Sequence, residues 1–185
     1  MGSAAAKELG PIADVGVKAY PDMERFEIIG GVVYAMAPPS WMHERVIDSL
    51  RDQLKDYFKG GDCVVAGPGL GVKLEEDKTW EEAYVIPDLM VVCPPRKITE
   101  QGVESPPSLI VEVVSKSNSS NDLSRKRVLY MEKGVKEYWM VLNFKSFIRC
   151  VLDEKGQEDL EMFGSEIESA VFPGLKVTLE GVEKW

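Results

Sequence analysis

Two stretches of the chain each set an acid among apolar residues: Asp88 in "VIPDLMVV" (85–92) and Glu112 in "LIVEVV" (109–114). Taking even a neutral polar group out of water without a partner costs ~2–7 kcal/mol, and a bare charge costs more. If the two stretches are neighbouring strands, both carboxylates can point into one pocket. Two like charges that close do not both ionise without a cation. A divalent metal resolves the burial and the repulsion together. Magnesium suits hard oxygen donors, one or two carboxylates and several retained waters. Glu112 taken alone reads equally well as a buried acid paired with a Lys or Arg. Downstream, Asp122, Lys126 and Tyr130 are spaced i, i+4, i+8 and share one helix face. An ammonium from that face can orient or deprotonate an attacking water, or stabilise a phosphorane-like charge. Lys126 reads equally well as a side chain that snorkels and pairs with Asp122.

The elements that must position these groups are legible in the pattern. "ERFEIIGGVVYAM" (24–36) has two β-rich runs around Gly30–Gly31, a pair that accepts the positive φ angles of a tight hairpin turn. Pro38 and Pro39 end that hairpin, and Ser40 is placed to cap a helix. The helix is expected over 41–58, where Met42, Val46, Leu50, Leu54 and Phe58 recur every four residues, and Gly60–Gly61 ends it. Strands are expected at 63–66, 70–75 and 83–93, and a central strand, apolar on both faces, at 108–115. A helix over 122–134, with Gly134 just past its end, leads to a buried strand at 135–142. That makes strand, helix, strand, a βαβ unit. Short strands follow at 146–152, 158–163 and 175–179. The fold class is α/β (α+β): a mixed central sheet flanked by few helices, with an N-terminal β-hairpin.

Composition bounds the function. The chain has 185 residues, 44% hydrophobic and 29% charged, the usual mix for a globular domain. Residues 1–19 read as an N-terminal extension whose start is compatible with an expression scar, and 20–185 as a single domain. No apolar run approaches the ~20 residues of a membrane helix, and the start lacks a secretory pattern. Cys63, Cys93 and Cys150 are widely spaced and His43 is the single histidine, so a structural zinc site is not expected. The three cysteines read as reduced thiols of a cytoplasmic protein. The net charge of −9 argues against nonspecific coating of nucleic acid. Residues 115–136 run the other way. Lys116, Arg125, Lys126, Arg127, Lys133 and Lys136 stand against Asp122 and Glu132, a local +4. That segment reads either as a solvated helix face or as a surface for nucleic acid.

These residues carry a family likeness. Pro87-Asp88, Glu112-Val113-Val114-Ser115, then Asp122, Lys126 and Tyr130, then Gly134-Val135-Lys136-Glu137-Tyr138-Trp139 follow in order. Upstream, "FEIIGGVVYAMAPPSWMH" supplies Glu27, Gly31, Met36, Pro38 or Pro39, and His43. Together they resemble the Uma-two family of endonucleases, with the restriction-endonuclease-like fold and PD-(D/E)XK site, over about residues 20–180. The resemblance implies that Asp88 and Glu112 bind Mg²⁺ or Mn²⁺, with the backbone carbonyl of Val113 as a third ligand. The superfamily's usual lysine falls on Val114, so Lys126 from the next helix would replace it. Glu27 and His43 match further site positions, though His43 reads equally as a capping or hydrogen-bonding histidine. Gly30 stands where the family often has Asp, as does Asn143 after the "YW" strand.

Two functions remain open on the sequence. One is a Mg-dependent endonuclease acting on nucleic acid, DNA ahead of RNA. The other is a binding or regulatory module that keeps the fold without the chemistry. A homodimer is compatible with both.

Overall fold

A computed structural model of the protein describes residues 7–11, 25–114 and 120–182; of residues 7, 9 and 120–123 it describes the backbone alone. Strands β1 (Lys7–Pro11), β2 (Phe26–Ile29) and β3 (Val32–Ala35) form an antiparallel sheet in the order β1-β3-β2. Gly30 and Gly31 take φ of 58° and 74° between β2 and β3, the left-handed pair a two-residue hairpin turn requires. β1 lies within the stretch read as an extension and pairs along β3.

Helix α1 (Trp41–Phe58) keeps the bounds its periodicity predicts. Ser40 Oγ accepts the His43 N–H at 3.2 Å, so the expected cap is in place. Next come β4 (Val64–Ala66), β5 (Leu89–Val92), β6 (Leu109–Val114), α2 (Ser120–Glu132), β7 (Glu137–Leu142), β8 (Ser146–Leu152) and β9 (Glu158–Phe163). The six strands make one mixed sheet in the order β4-β5-β6-β7-β8-β9, with β6 and β7 parallel around α2. A small antiparallel pair, β10 (Glu166–Glu168) and β11 (Lys176–Thr178), completes the described chain.

All six residues of β6 are buried, as the two-faced apolar reading of that strand demands. Leu109, Val111 and Val113 face a core built with Val46, Ile47, Leu50 and Leu54 of α1. Ile110 and Val114 face the other core, with Tyr130 and Met131 of α2. Among the described residues no helix is long and apolar enough to cross a membrane.

Three expectations need correction. Residues 70–75 do not form a strand; Val72 alone makes bridges, to Val85 and Val103. It ties two loops together outside the main sheet. The expected strand over 83–93 is interrupted at Pro87, which has no N–H for a ladder, and only Leu89–Val92 join the sheet. The cysteines are not all reduced: Cys63 and Cys93 form a disulfide. The antiparallel register Val64↔Val92 sets them opposite one another at the next rung. Spacing of 30 residues in sequence gives no hint of that, because strand pairing is not local. The bond lends the expected cytoplasmic location no support. Cys150 is free and buried.

Candidate active site

The β5–β6 register decides where the two acids sit. Leu89 pairs with Val111, so the next rung sets Asp88 across from Glu112. Residues directly opposed on an antiparallel pair share a face, with Cβ atoms ~4.5–5.5 Å apart. Met90, Ile110 and Val114, two positions from one acid or the other, belong to the α2-side core, so both acids face α2. Regular pairing stops at Leu89, and Asp88 Oδ2 instead accepts the Val113 N–H at 2.8 Å. His43 Nε2 lies 3.1 Å from the same oxygen. Gly67, at φ 104°, packs so tightly on the Asp88 backbone that a Cβ there would lie 2.4 Å from the Asp88 carbonyl oxygen. Gly67 opens the stretch "GPG" (67–69), and its support of Asp88 emerges only from the fold.

Glu27 arrives from the other sheet. Ile28 and Tyr84 exchange backbone hydrogen bonds of 2.8 and 3.1 Å, which fasten β2 to the loop before β5. Glu27 Oε1 then accepts the Ile86 N–H at 2.7 Å. Lys126, from α2, places Nζ 2.8 Å from Glu27 Oε1 and 2.9 Å from Glu112 Oε1. Tyr130, one turn further on, donates its hydroxyl to Glu112 Oε1 at 2.8 Å. Two hydrogen-bonded groups thus stand side by side at this rung: Glu27, Lys126, Glu112 and Tyr130 in one, and His43, Asp88 and the Val113 N–H in the other. Ser115 and the side chain of Asp122 lie outside the described residues.

The charges in this cluster do not balance without Lys126. Burial pulls its pKa down, but Glu112 and then Glu27 reverse that, and it stands above the ordinary lysine value. Burial lifts Glu112 to about 7; the Lys126 charge opposes the rise, while Asp88 and Glu27 add to it. Burial also pulls His43 down, but hydrogen bonding to Asp88, its charge, and those of Glu112 and Glu44 leave it above 6.5. Tyr130 is pushed well above its usual range by burial and by Glu112.

A pH dependence follows. Glu112 titrates higher in the folded chain than in the unfolded one, so the folded state binds the extra proton between the two values. Its contribution to stability is full below about 4.5 and is lost as pH rises through about 7. His43 has the same sign: its contribution is lost as pH rises through its elevated value. Thermal unfolding of the metal-free protein is therefore expected to fall in midpoint from pH 5 to pH 8. The fall should be shallower in Glu112→Gln. A midpoint that rises over that range, or an unchanged slope in the variant, would contradict this picture.

The donor set fits a hard cation better than zinc. Among the described residues, no three His, Cys, Asp or Glu side chains gather into a metal-binding group. A cation here would rest on two carboxylates, a main-chain carbonyl and water, which is magnesium's habit. Lys126 and Tyr130 occupy Glu112 Oε1, and His43 and Val113 occupy Asp88 Oδ2. Among the described residues, Asp88 Oδ1 and Glu112 Oε2 receive no comparable hydrogen bond.

The basic segment is largely matched by acids. Arg127 pairs with Glu158 at 3.1 Å and Lys133 with Glu75 at 3.9 Å, while Lys126 is spent on the cluster. Arg125 lies 4.0 Å from Glu8 and stacks over Tyr34. Among the described residues, Lys126, Arg127 and Lys133 thus have acidic partners, Lys136 is exposed, and Lys116 lies outside the described residues.

Comparisons with known proteins bear on this geometry. The family model Uma2, described as "Putative restriction endonuclease", matches residues 17–180. The "Uncharacterized protein slr1290" of Synechocystis sp. is 27% identical over 123 residues, which cover 66% of this chain and 63% of that protein. A crystal structure of a "putative nuclease belonging to DUF820" from Anabaena variabilis superposes with a TM-score of 0.66. It covers 85% of this chain and 88% of that one at 14% identity, and so speaks to the fold.

Proposed function

The chain belongs to the Uma2 family, and from that membership we propose that it is a metal-dependent endonuclease hydrolysing phosphodiester bonds of nucleic acid. One observation carries the reading: a lysine sits 2.9 Å from one of two opposed strand acids, inside a shared buried cluster. The family description favours DNA over RNA. Asp88, Glu112 and the Val113 carbonyl would hold Mg²⁺ or Mn²⁺. When bound, the ion would polarise the scissile phosphate and lower the pKa of water. Within the chain, His43 and the Val113 N–H orient Asp88, while Tyr130 orients Glu112. Glu27, anchored on the Ile86 N–H, holds Lys126 beside Glu112. There the ammonium can align the attacking water and stabilise charge gathering on the phosphate oxygens.

The test is cleavage of single- and double-stranded DNA and RNA by purified protein with Mg²⁺ or Mn²⁺. Cutting should stop with a chelator and in Asp88→Ala. No cutting of any substrate, or undiminished cutting by Asp88→Ala, would end the proposal. The second reading, a nuclease-fold module without the chemistry, is favoured by a different observation. Lys126 already links Glu27 and Glu112, so the network is closed without a metal. Calorimetry separates the two: millimolar Mg²⁺ or Mn²⁺ binding that disappears in Glu112→Gln supports the nuclease, and no binding supports the module. Sedimentation at high concentration tests the homodimer we include in the proposal.

A further inference from the structure

One rung crosses all three strands of the N-terminal sheet. Glu8 of β1 is opposed to Tyr34 of β3, and Tyr34 to Glu27 of β2. Directly opposed residues share a face, so an acid, a phenol and an acid stand in one row. The row is two strand spacings long, roughly 10 Å. Its face meets α2. Lys126 takes the inner end, 2.8 Å from the buried Glu27. Arg125, the preceding residue, takes the outer part. Its guanidinium donates to the Tyr34 hydroxyl, lies over the Tyr34 ring with Cζ 4.6 Å from the centroid, and stands 4.0 Å from Glu8. The row thus leads from the site lysine to solvent: the Lys126 side chain is 13% exposed, that of Arg125 37% and that of Glu8 61%.

The two cations are held differently. Lys126 lies between two carboxylates, within 2.8 and 2.9 Å. Arg125 is anchored by an aromatic ring and a hydroxyl, and the acid beside it is exposed and at the outer limit of an ion pair. Such a pair is weak in water. A phosphate offers the guanidinium a stronger, bidentate, charge-assisted contact. The stack on Tyr34 keeps the planar group oriented while the acid is exchanged, which lowers the ordering cost of binding. We propose that Arg125 binds a phosphate of the nucleic acid next to the one that Lys126 faces. Glu8 is its intramolecular competitor, holding the guanidinium until the phosphate displaces it. This assignment rests on the nuclease reading above.

Fluorescence anisotropy with a fluorescein-labelled DNA duplex tests it, on the full chain with Ca²⁺ as the hard cation, beside a cleavage assay with Mg²⁺. Arg125→Gln is expected to weaken binding about tenfold, the scale of one charge-assisted contact. It should also flatten the slope of log K against log salt by about 0.9, the signature of one lost phosphate contact. Glu8→Gln is expected to tighten binding about threefold, because the competing acid is gone, with the gain shrinking as salt screens it. A merely structural ion pair predicts the same sign for both variants and an unchanged slope. Wild-type affinity or slope in Arg125→Gln, or wild-type or looser affinity in Glu8→Gln, overturns the proposal. If wild type still cuts, the nuclease reading then stands without it. Opposite shifts of the two variants in a protein that does not cut uphold the phosphate contact and end the nuclease reading. If wild type binds no duplex, both fall.

Discussion

Lys126→Ala is expected to lower the stability of the metal-free protein by ~3–5 kcal/mol, the range for breaking a buried ion pair from one side, and to abolish cleavage. The size follows from what is left behind. Glu27 and Glu112 are buried, and Lys126 Nζ lies within 2.8 and 2.9 Å of them. Without the ammonium, Glu27 and Glu112 are left beside Asp88, with His43 the remaining basic group paired to it among the described residues. Glu112, already lifted to about 7, would rise further. Urea unfolding at pH 8 reads the loss. Combining the substitution with Glu27→Gln and Glu112→Gln should recover most of it, because the interaction energies of residues in one network do not add. Millimolar Mg²⁺ should also restore part of the single variant's stability, since a bound cation supplies the missing charge. A loss below ~1 kcal/mol, the worth of an exposed pair, would show that the cluster is solvated and that Lys126 is incidental. Lys126→Arg is expected to keep much of the stability and little of the activity, because a planar guanidinium cannot replace a compact ammonium between two carboxylates.

What the sequence disclosed and what it withheld separate along a physical line. Local periodicity placed α1 over 41–58 and β6 within 108–115 because those signals lie inside single elements. Gly30–Gly31 revealed its hairpin because only such a pair takes two successive positive φ angles comfortably. The cluster was half legible. Asp88 and Glu112 stood out as acids in apolar strands, and Lys126 with Tyr130 as one helix face. Their meeting depends on strand register and on the approach of β2 to the loop before β5, which are long-range facts. The same limit hid the disulfide, whose partners oppose each other only through the β4–β5 pairing. β10 escaped because "EIE" is short and charged, with only Ile167 buried. The ion pairs of the +4 segment were not legible, because Glu27, Glu75 and Glu158 reach Lys126, Lys133 and Arg127 from other elements.

That pairing also reshapes the charge argument. A net −9 chain whose basic helix is internally neutralised has little long-range pull on a polyanion. Affinity for nucleic acid would then depend on the cation at the acid pair, and on a second subunit if the protein dimerises. On the function proposed above, binding would depend on metal more than on salt-sensitive coating.

The second large effect concerns an acid with no place in that chemistry. Glu137→Ala is expected to cost ~3–5 kcal/mol, the scale of emptying a buried hydrogen-bonding acid site, and to leave the Asp88–Glu112 pair untouched in whatever fraction folds. Glu137 lies in the "GVKEYW" stretch, yet it faces away from the cluster. Its strand neighbours Trp139 and Val141 on the same face belong to the α1-side core. The carboxylate is inaccessible and accepts from Trp139 Nε1 at 2.7 Å, the Ala170 N–H at 3.0 Å, the Val171 N–H at 3.3 Å and the Ser169 hydroxyl. Ser169 Oγ in turn accepts the Phe172 N–H at 2.9 Å. One carboxylate thus fastens the turn between β10 and β11 to the central strand. Removing it strands several donors at once, each buried group left unpaired costing ~1–3 kcal/mol, though not additively. Glu137→Gln keeps one acceptor and turns an amide hydrogen toward Ser169, so it should cost roughly half as much. Urea midpoints for the two variants give the ranking, and Mn²⁺ calorimetry on Glu137→Gln should match wild type. If Glu137→Gln loses metal binding as Glu112→Gln does, the two glutamates serve one site and the separation of the sheet's faces argued here is wrong.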